Sequence, residues 1–345
     1  MEIRGIAYGL PSRRVGNEEL ISELVERNRC RLSSKELRSL EEKMTYYLKM
    51  SGTMWRYHRA EGEKAVDIAV RTGDELIRKT GVSRDEVDLL IYTGVGRGWL
   101  EPAMGNLFLS LLGLRNATCF DILDACASWI RSLMVAKSFL DNGTYRNILV
   151  LNSEFNFREY ADFEINRVEE LGSKFSAYTI GEAATAVLLS SSLDDPEFYF
   201  SVRTWGEKHE LCKIPLPNFD QYSRNGEGGS HKPLRFYAES ERLMHFAVRK
   251  LAEHYLRDQK LRAYSPEIIF GHAASELSTT TWLNLVHLNH DLAYRTHARF
   301  GNTVSASVPL GMAMAEEEGR LKRGLKALVV VGSAGVSTAC ATFTY

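Results

Sequence analysis

The sequence predicts an α/β protein built from two repeated halves, and three observations support this. Helical and apolar, strand-like segments alternate along 345 residues, a length that allows two domain-sized units. The order of these segments in the first half returns in the second half. The strand-like segments are continuous apolar runs, so we expect mainly parallel sheets that are covered by helices on both faces.

Two helix-and-strand pairs carry the repeat, and the predicted boundary near residues 190–196 divides the chain into halves of residues 1–193 and 194–345. In the first half, helix 64–80 precedes strand 87–93, and helix 129–140, which ends at Gly143, precedes strand 147–151. The counterparts in the second half are helix 239–256 with strand 267–270, and helix 307–318, which ends before Gly324, with strand 325–331.

The remaining segments are assigned from composition. Residues 1–15 predict a strand and a turn, and the charged residues 17–50 predict helices with a solvated face. Residues 155–172 predict a charged loop. Residues 205–235, rich in proline, glycine and asparagine, predict a long surface loop of the kind that often covers a binding site.

The composition excludes several classes of function. Lys and Arg number 43 against 44 Asp and Glu, and no basic cluster is interleaved with aromatic residues, so we expect no nucleic-acid partner. No apolar run is long enough to span a membrane, and the N-terminus lacks the pattern of a secretory signal. The five scattered cysteines predict neither a disulfide framework nor a metal site and are typical of the reducing cytoplasm. They lie at positions 30, 119, 126, 212 and 340.

Cys126 is the first candidate for chemistry. Strand 118–124 turns sharply at Ala125-Cys126-Ala127 into an apolar helix. The positive end of a helix dipole and its unpaired N–H groups favour a thiolate over a thiol, which suits a nucleophile. The alternative is that Cys126 is one more small buried hydrophobic residue.

Two further polar residues follow predicted strands or turns of the second half. His272 comes directly after Ile268-Ile269-Phe270-Gly271, and Asn302 lies in Phe300-Gly301-Asn302-Thr303. Since ligands bind at the carboxyl ends of strands in open α/β sheets, we expect these side chains to converge with Cys126. A thiolate attacks a carbonyl carbon, an imidazole moves a proton or donates a hydrogen bond, and an amide N–H stabilises developing negative charge. Taken singly, His272 could be a structural histidine and Asn302 a turn residue.

The order Cys, His, Asn also occurs in papain-like proteases. That interpretation is disfavoured because the glycine and second cysteine of their nucleophile region are missing here and no tryptophan follows Asn302.

The chain resembles the thiolase superfamily and, within it, the β-ketoacyl-acyl-carrier-protein synthase III group. The resemblance rests on five segments that match the family's nucleophile, histidine and asparagine motifs, the opening of a strand and the glycine-rich C-terminal loop. They are Asp121–Ser128, Gly271–Ser275, Gly301–Leu310, Gly181–Ala186 and Gly332–Gly335. The resemblance implies a five-layered αβαβα fold and a homodimer.

The resemblance also implies a reaction. Cys126 accepts an acyl group from an acyl thioester of coenzyme A or acyl carrier protein, and the backbone N–H groups of Cys126 and Ala334 form the oxyanion hole. His272 and Asn302 then stabilise the enolate of a second thioester, which is malonyl in most of the family, during a Claisen condensation. The implied pathway is fatty-acid or polyketide-like biosynthesis, without a cofactor beyond the thioester substrates.

Four positions depart from the family pattern. Tyr46 and Met50 stand where the family has a tryptophan and an arginine that clasp the adenine of coenzyme A, and Ser275 stands where an asparagine contacts pantetheine. Glu101, 25 residues before Cys126, occupies the place of an aromatic residue that reaches into the partner subunit's pocket. Related long-chain enzymes carry a glutamate there, so Glu101 is a candidate base for condensation without decarboxylation; the alternative is an exposed glutamate or one that selects a polar chain.

Two other functions remain open. The same acyl-enzyme could pass its acyl group to an alcohol or an amine, or the chain could be a non-catalytic partner of an active synthase. Cys340 is predicted to pack in the core rather than to serve as a second catalytic cysteine.

Overall fold

The computed structural model describes residues 1–155, 157–192, 197–222, 232–272 and 274–345. Within these ranges the chain forms fourteen strands and twelve α-helices. The strands are β1 (Glu2–Gly9), β2 (Arg13–Gly16), β3 (Trp55–His58), β4 (Leu89–Thr93), β5 (Thr118–Ile122), β6 (Asn147–Glu154), β7 (Ala183–Ser190), β8 (Tyr199–Thr204), β9 (Cys212–Lys213), β10 (Tyr237–Ala238), β11 (Ile268–Gly271), β12 (Ala293–Tyr294), β13 (Lys326–Ser333) and β14 (Ser337–Thr344). The helices are α1 (Asn17–Asn28), α2 (Ser34–Ser51), α3 (Ala65–Thr80), α4 (Gly105–Leu111), α5 (Ser128–Asp141), α6 (Phe157–Tyr160), α7 (Leu171–Tyr178), α8 (Ser240–Arg257), α9 (Gln259–Ala263), α10 (Glu276–Val286), α11 (His297–Phe300) and α12 (Ser307–Glu317).

Two five-stranded sheets have the same topology. The first has the order β1-β7-β6-β4-β5 and the second, in the matching direction, β8-β14-β13-β11-β12. In each sheet the first two neighbouring pairs are antiparallel and the last two are parallel. The repeat predicted from the sequence is therefore present strand by strand.

Five layers stack through the molecule, as predicted. The central helices α5 and α12 pack between the inner faces of both sheets in one apolar core. Helices α3 and α4 cover the outer face of the first sheet, and α8 and α10 cover the outer face of the second. Because helices cover both faces of each sheet, the central strands are continuous apolar runs in the sequence.

The expectation of mainly parallel sheets is wrong, since each sheet has as many antiparallel as parallel pairs. A strand that is buried on both faces has the same apolar pattern whichever way its neighbour runs, so burial alone cannot predict strand direction.

The predicted loops contain more structure than expected. Residues 155–172 include α6 and the start of α7, and α7 packs with α1 and α2 in a separate apolar cluster. Within 205–235, Leu211 is buried against Ala247 and Val336, and β9 pairs with β10, so this part is not a surface loop. Residues 223–231 of that segment lie outside the described residues. Cys340 is fully buried on β14, as predicted for a core residue.

The predicted boundary between the halves, at residues 193 and 194, also lies outside the described residues; the last strand before it belongs to the first sheet and the next to the second. No helix among the described residues is long and apolar enough to cross a membrane.

Candidate active site

A cavity of about 860 Å³ with mostly apolar walls contains the residues predicted for chemistry. Cys126, His272, Asn302 and Ala334 all line it. They come from four separate places in the chain, two after β5 and β11 and two from the turn before α12 and the loop after β13. The repeat brings them together because it places the carboxyl ends of corresponding strands beside the central helices.

The turn that carries Cys126 is fixed by two serines. Ala125 has a left-handed backbone with φ of 45°, which is unusual for a residue with a side chain. Ser128 Oγ accepts from the N–H of Asp124 at 2.8 Å and donates to the carbonyl of Ala125 at 2.6 Å. From the other half of the molecule, Ser333 Oγ accepts from the N–H of Ala127 at 3.3 Å and donates to the carbonyl of Asp124 at 3.2 Å. The direction of the Cys126 side chain is thus set by both halves.

The Cys126 thiol is protonated at rest. Burial raises the pKa of Cys126 well above its ordinary range, the nearby Cys212 and Glu154 raise it further, and the backbone N–H of Ala334 lowers it. Burial thus opposes the stabilisation of a thiolate that is expected at the helix N-terminus. Cys126 therefore needs a proton acceptor before it can act as a nucleophile.

His272 presents such an acceptor. Its Nδ1 lies 3.1 Å from the carbonyl oxygen of Val304, which can only accept, so Nδ1 carries the proton and Nε2 keeps a lone pair. Burial lowers the pKa of His272 to about 4, partly offset by the Val304 hydrogen bond, and the imidazole is neutral near pH 7.

Asn302 presents a donor. Its Oδ1 accepts from the N–H of Val304 at 2.9 Å, which leaves the two Nδ2–H groups as the free polar end of the side chain. Two backbone hydrogen bonds anchor Asn302. Its N–H donates to the carbonyl of Thr179 at 2.9 Å, and its carbonyl accepts from the N–H of Gly181 at 3.1 Å. Gly301 has a φ of 66°, and a Cβ there would lie 2.3 Å from the Thr179 carbonyl, so this approach requires glycine.

The other predicted site residues separate into two groups. Tyr46 and Met50, on α2, line the cavity and are 57% and 45% exposed, which places them at its opening. Ser275 also lines the cavity and caps α10 by accepting from the N–H of Ser278 at 3.0 Å. Glu101 is exposed and is not among the residues that line this cavity.

Two residues of the site were not predicted. Glu154 is fully buried at the end of β6, behind the turn that holds His272 and Asn302. The signal in the sequence is a carboxylate placed three residues after the apolar run Ile148–Leu151, at the end of a buried strand. Cys212, on the short strand β9, lines the cavity and interacts electrostatically with Cys126, but it lies in the segment predicted as a loop, where the sequence gives no signal for it.

Solved structures share this architecture over nearly the whole chain. The cerulenin-bound OleA of Xanthomonas campestris is 19% identical, with a TM-score of 0.82 over 99% of this chain and 96% of that chain. The 3-oxoacyl-[acyl-carrier-protein] synthase III of Aquifex aeolicus VF5 is 21% identical, with a TM-score of 0.81 over 100% of this chain and 99% of that chain. At these identities the likeness shows the fold.

Sequence comparisons define the family. Models described as 3-oxoacyl-[acyl-carrier-protein] synthase III and its C-terminal part match residues 120–206 and 256–345, which together are just over half of the chain. A β-ketoacyl-[acyl-carrier-protein] synthase III of Sulfurimonas denitrificans is 23% identical over 93% of this chain and 91% of its own length. One from Fusobacterium nucleatum is 24% identical over 79% and 82%. The chain therefore belongs to the thiolase superfamily, among the acyl-thioester condensing enzymes of the synthase III type.

Proposed function

We propose that the protein loads an acyl group from an acyl thioester onto Cys126 and condenses it with a second thioester to form a C–C bond. The observation that carries this proposal is the pair of free polar ends at the cavity, a lone pair on His272 Nε2 and N–H donors on Asn302, beside a buried thiol. The proton acceptor serves the loading of Cys126, and the N–H donors serve the enolate oxygen of a Claisen condensation.

The loading step follows from the protonation states. His272 Nε2 takes the proton of the Cys126 thiol, and the sulfur attacks the carbonyl carbon of the thioester. The backbone N–H groups of Cys126 and Ala334 stabilise the resulting oxyanion, and the departing thiolate takes a proton from solvent. Ala334 is suited to this role because it lines the cavity beside Cys126 and its backbone N–H acts to lower the pKa of the thiol.

The condensation step uses the proton held by His272. A malonyl thioester loses carbon dioxide, and its enolate oxygen accepts hydrogen bonds from Asn302 Nδ2 and from protonated His272 Nε2. The enolate carbon attacks the acyl carbonyl, the bond to Cys126 Sγ breaks, and the sulfur regains its proton from His272. His272 is predicted to donate a hydrogen bond to the enolate. Its Nε2 can do so only after it has taken the thiol proton, because Nε2 of the resting ring is an acceptor.

The donor thioester and the subunit arrangement are part of the proposal. Tyr46 and Met50 give the opening an apolar rim in place of an adenine clasp, which favours a carrier-bound donor over coenzyme A. A homodimer through the edge strand β5 is supported by Leu123, the residue after this strand, which is apolar and 56% exposed. Glu101 would then act in the partner's cavity, as a base in condensation of two acyl thioesters without decarboxylation.

Mass spectrometry of the intact protein tests the central step. After incubation with a panel of acyl-coenzyme A and acyl-carrier thioesters, we expect one acyl mass on the wild type and none on Cys126→Ala, whereas Cys30→Ala, which removes an exposed thiol, still loads. Retained acylation of Cys126→Ala refutes the nucleophile, and an unmodified wild type with every donor favours a non-catalytic subunit.

Product analysis then separates the transferases from the condensing enzymes. With malonyl-carrier added we expect a β-ketoacyl product, whereas an ester or amide formed with an added alcohol or amine favours acyl transfer. Glu101→Gln is measured with two acyl thioesters, and unchanged turnover there rejects Glu101 as the base.

A further inference from the structure

The buried carboxylate of Glu154 lies directly behind the turn that holds the candidate catalytic pair. It accepts hydrogen bonds from the backbone N–H groups of Val95 and Gly96, both at 3.1 Å. It also accepts from the Ser305 backbone N–H at 3.4 Å and from the Ser305 hydroxyl. No basic side chain of the described residues hydrogen-bonds or ion-pairs with it, so the groups that stabilise a charge on this carboxyl are backbone N–H groups and one hydroxyl.

One peptide group connects this carboxylate to His272. The carbonyl of the Val304–Ser305 peptide accepts from His272 Nδ1 at 3.1 Å, and the N–H of the same peptide donates to Glu154 Oε1 at 3.4 Å. A carboxylate that accepts from a peptide N–H makes the carbonyl of that peptide more negative, because hydrogen bonds in a chain polarise one another. A more negative carbonyl favours positive charge on the imidazole that donates to it.

We infer that Glu154 is a positioning residue for His272, acting through the Val304–Ser305 peptide to hold the Nδ1–H tautomer and to favour the imidazolium that forms when Cys126 gives up its proton. This inference rests on the proposed function, in which His272 is the proton acceptor. It assigns to the chain a hydrogen-bonded series from imidazole to peptide to carboxylate, with the Cys126 thiol in the same cavity as the imidazole.

The repeat provides an internal comparison. Glu154 ends β6 and Ser333 ends β13, the corresponding strand, and each binds the turn of the opposite half. Ser333 holds the Cys126 turn with a neutral hydroxyl, so holding a turn does not by itself require a carboxyl group. Of these two corresponding positions, the one with a carboxyl group, Glu154, lies behind the turn that contacts the His272 imidazole.

The titratable groups around the series are few. The Tyr92 hydroxyl and the Cys126 thiol interact electrostatically with Glu154, and His297 does so with His272. Burial raises the pKa of Glu154, and its four donors oppose that change. Because Glu154 interacts with both the thiol and its surroundings, a test must measure the reactivity of Cys126 and not only the stability of the protein.

Alkylation of Cys126 by iodoacetamide, followed across pH by mass spectrometry, supplies this test without any acyl substrate. Glu154→Gln keeps the side-chain shape and removes the charge, so we expect alkylation near pH 7 to slow about tenfold and its pH profile to move to higher pH. Ser305→Ala keeps the peptide N–H and should slow alkylation less than threefold. Glu182→Gln is the matched control, because Glu182 is another buried carboxylate but is paired with Arg59; its profile should match the wild type.

Three outcomes overturn the inference: a Glu154→Gln profile within twofold of the wild type, an equal effect in Glu182→Gln, or a Ser305→Ala effect as large as that of Glu154→Gln. Failure of the wild type to load any acyl group would instead refute the proposed function, since alkylation does not depend on it.

A measurement on the wild type covers the case in which Glu154→Gln does not fold. Nitrogen-15 spectra of labelled histidine, with His272 assigned by its loss in His272→Gln, should show the proton on Nδ1 at pH 7. A proton on Nε2 would break the series at the Val304 carbonyl and overturn the inference.

Discussion

At the scale of the residue, Asn302 shows how the backbone decides which end of an amide faces a cavity. Its Oδ1 is occupied by the Val304 N–H at 2.9 Å, so only its Nδ2–H groups remain for a substrate. A sequence motif identifies the asparagine but not which of its two ends is free, because that depends on a hydrogen bond within the folded turn.

Asn302→Asp separates these two ends. The aspartate keeps the acceptor for Val304 and loses the N–H donors, so we expect condensation to fall about 10²–10³-fold, the usual cost of removing one oxyanion donor. Acyl loading of Cys126, followed by intact mass, should change little because it uses other donors. Equal losses in loading and condensation would contradict an enolate role for Asn302.

At the scale of the element, the turn that carries Cys126 is held across the repeat by one side chain. Ser333 Oγ both accepts from Ala127 and donates to Asp124, and Ser333 is 2% exposed. Removal of the hydroxyl leaves a buried N–H and a buried carbonyl without this partner, at a cost of about 1–3 kcal/mol.

Ser333→Ala should therefore lower the free energy of unfolding by that amount and slow acyl loading at Cys126, as measured by urea unfolding and by intact mass over time. Ser337→Ala is the matched control, since Ser337 is similarly buried on the next strand, and among the described residues its side chain bonds Thr204 Oγ1 alone, at 3.0 Å. A Ser333→Ala protein that loads at the wild-type rate would show that the turn is held without Ser333.

Several helices could be predicted because their ends have local causes. Glycine in a left-handed conformation ends α2 and α3, at Gly52 and Gly81, and a Ser33–Glu36 capping box begins α2. Strand direction and the hydrogen-bond partners of Glu154 could not be predicted in this way. They depend on residues that are distant in the chain, such as Ser305, 151 positions after Glu154.

At the scale of the whole molecule, the repeat could be predicted from the order of segments, and with it the meeting of Cys126, His272 and Asn302. The protonation states of these residues could not be predicted from the sequence. The apolar environment that keeps the Cys126 thiol and the His272 imidazole uncharged arises only when both halves close over the cavity.

Burial of neutral histidines also makes the stability of the molecule depend on pH. Burial lowers the pKa of His58 to about 4, against an opposing hydrogen bond to the Ile180 carbonyl. Burial, assisted by Arg203, lowers the pKa of His254 to about 4 as well. His254 bonds Ser201 Oγ and Thr338 Oγ1, both at 2.8 Å, and so joins α8 to the edge of the second sheet.

The direction of the effect follows from these lowered values. Above the ordinary histidine pKa of 6.5, neither the folded nor the unfolded chain protonates these rings, and their contribution to stability is complete. As the pH falls from 6.5 towards 4, the unfolded chain takes up protons that the folded chain does not, so the free energy of unfolding decreases.

Each such histidine contributes a slope of about 1.4 kcal/mol per pH unit where its two states differ by a full proton. Urea unfolding at a series of pH values from about 7 down to 5 should therefore show a steady loss of stability in the wild type. His254→Gln, which keeps a donor towards Ser201 and cannot titrate, should flatten that slope by about one histidine's share. Parallel curves for the wild type and His254→Gln would mean that the folded protein accommodates a charged ring at this position. The acid sensitivity would then have to arise from other titrating groups, such as His58 and His272.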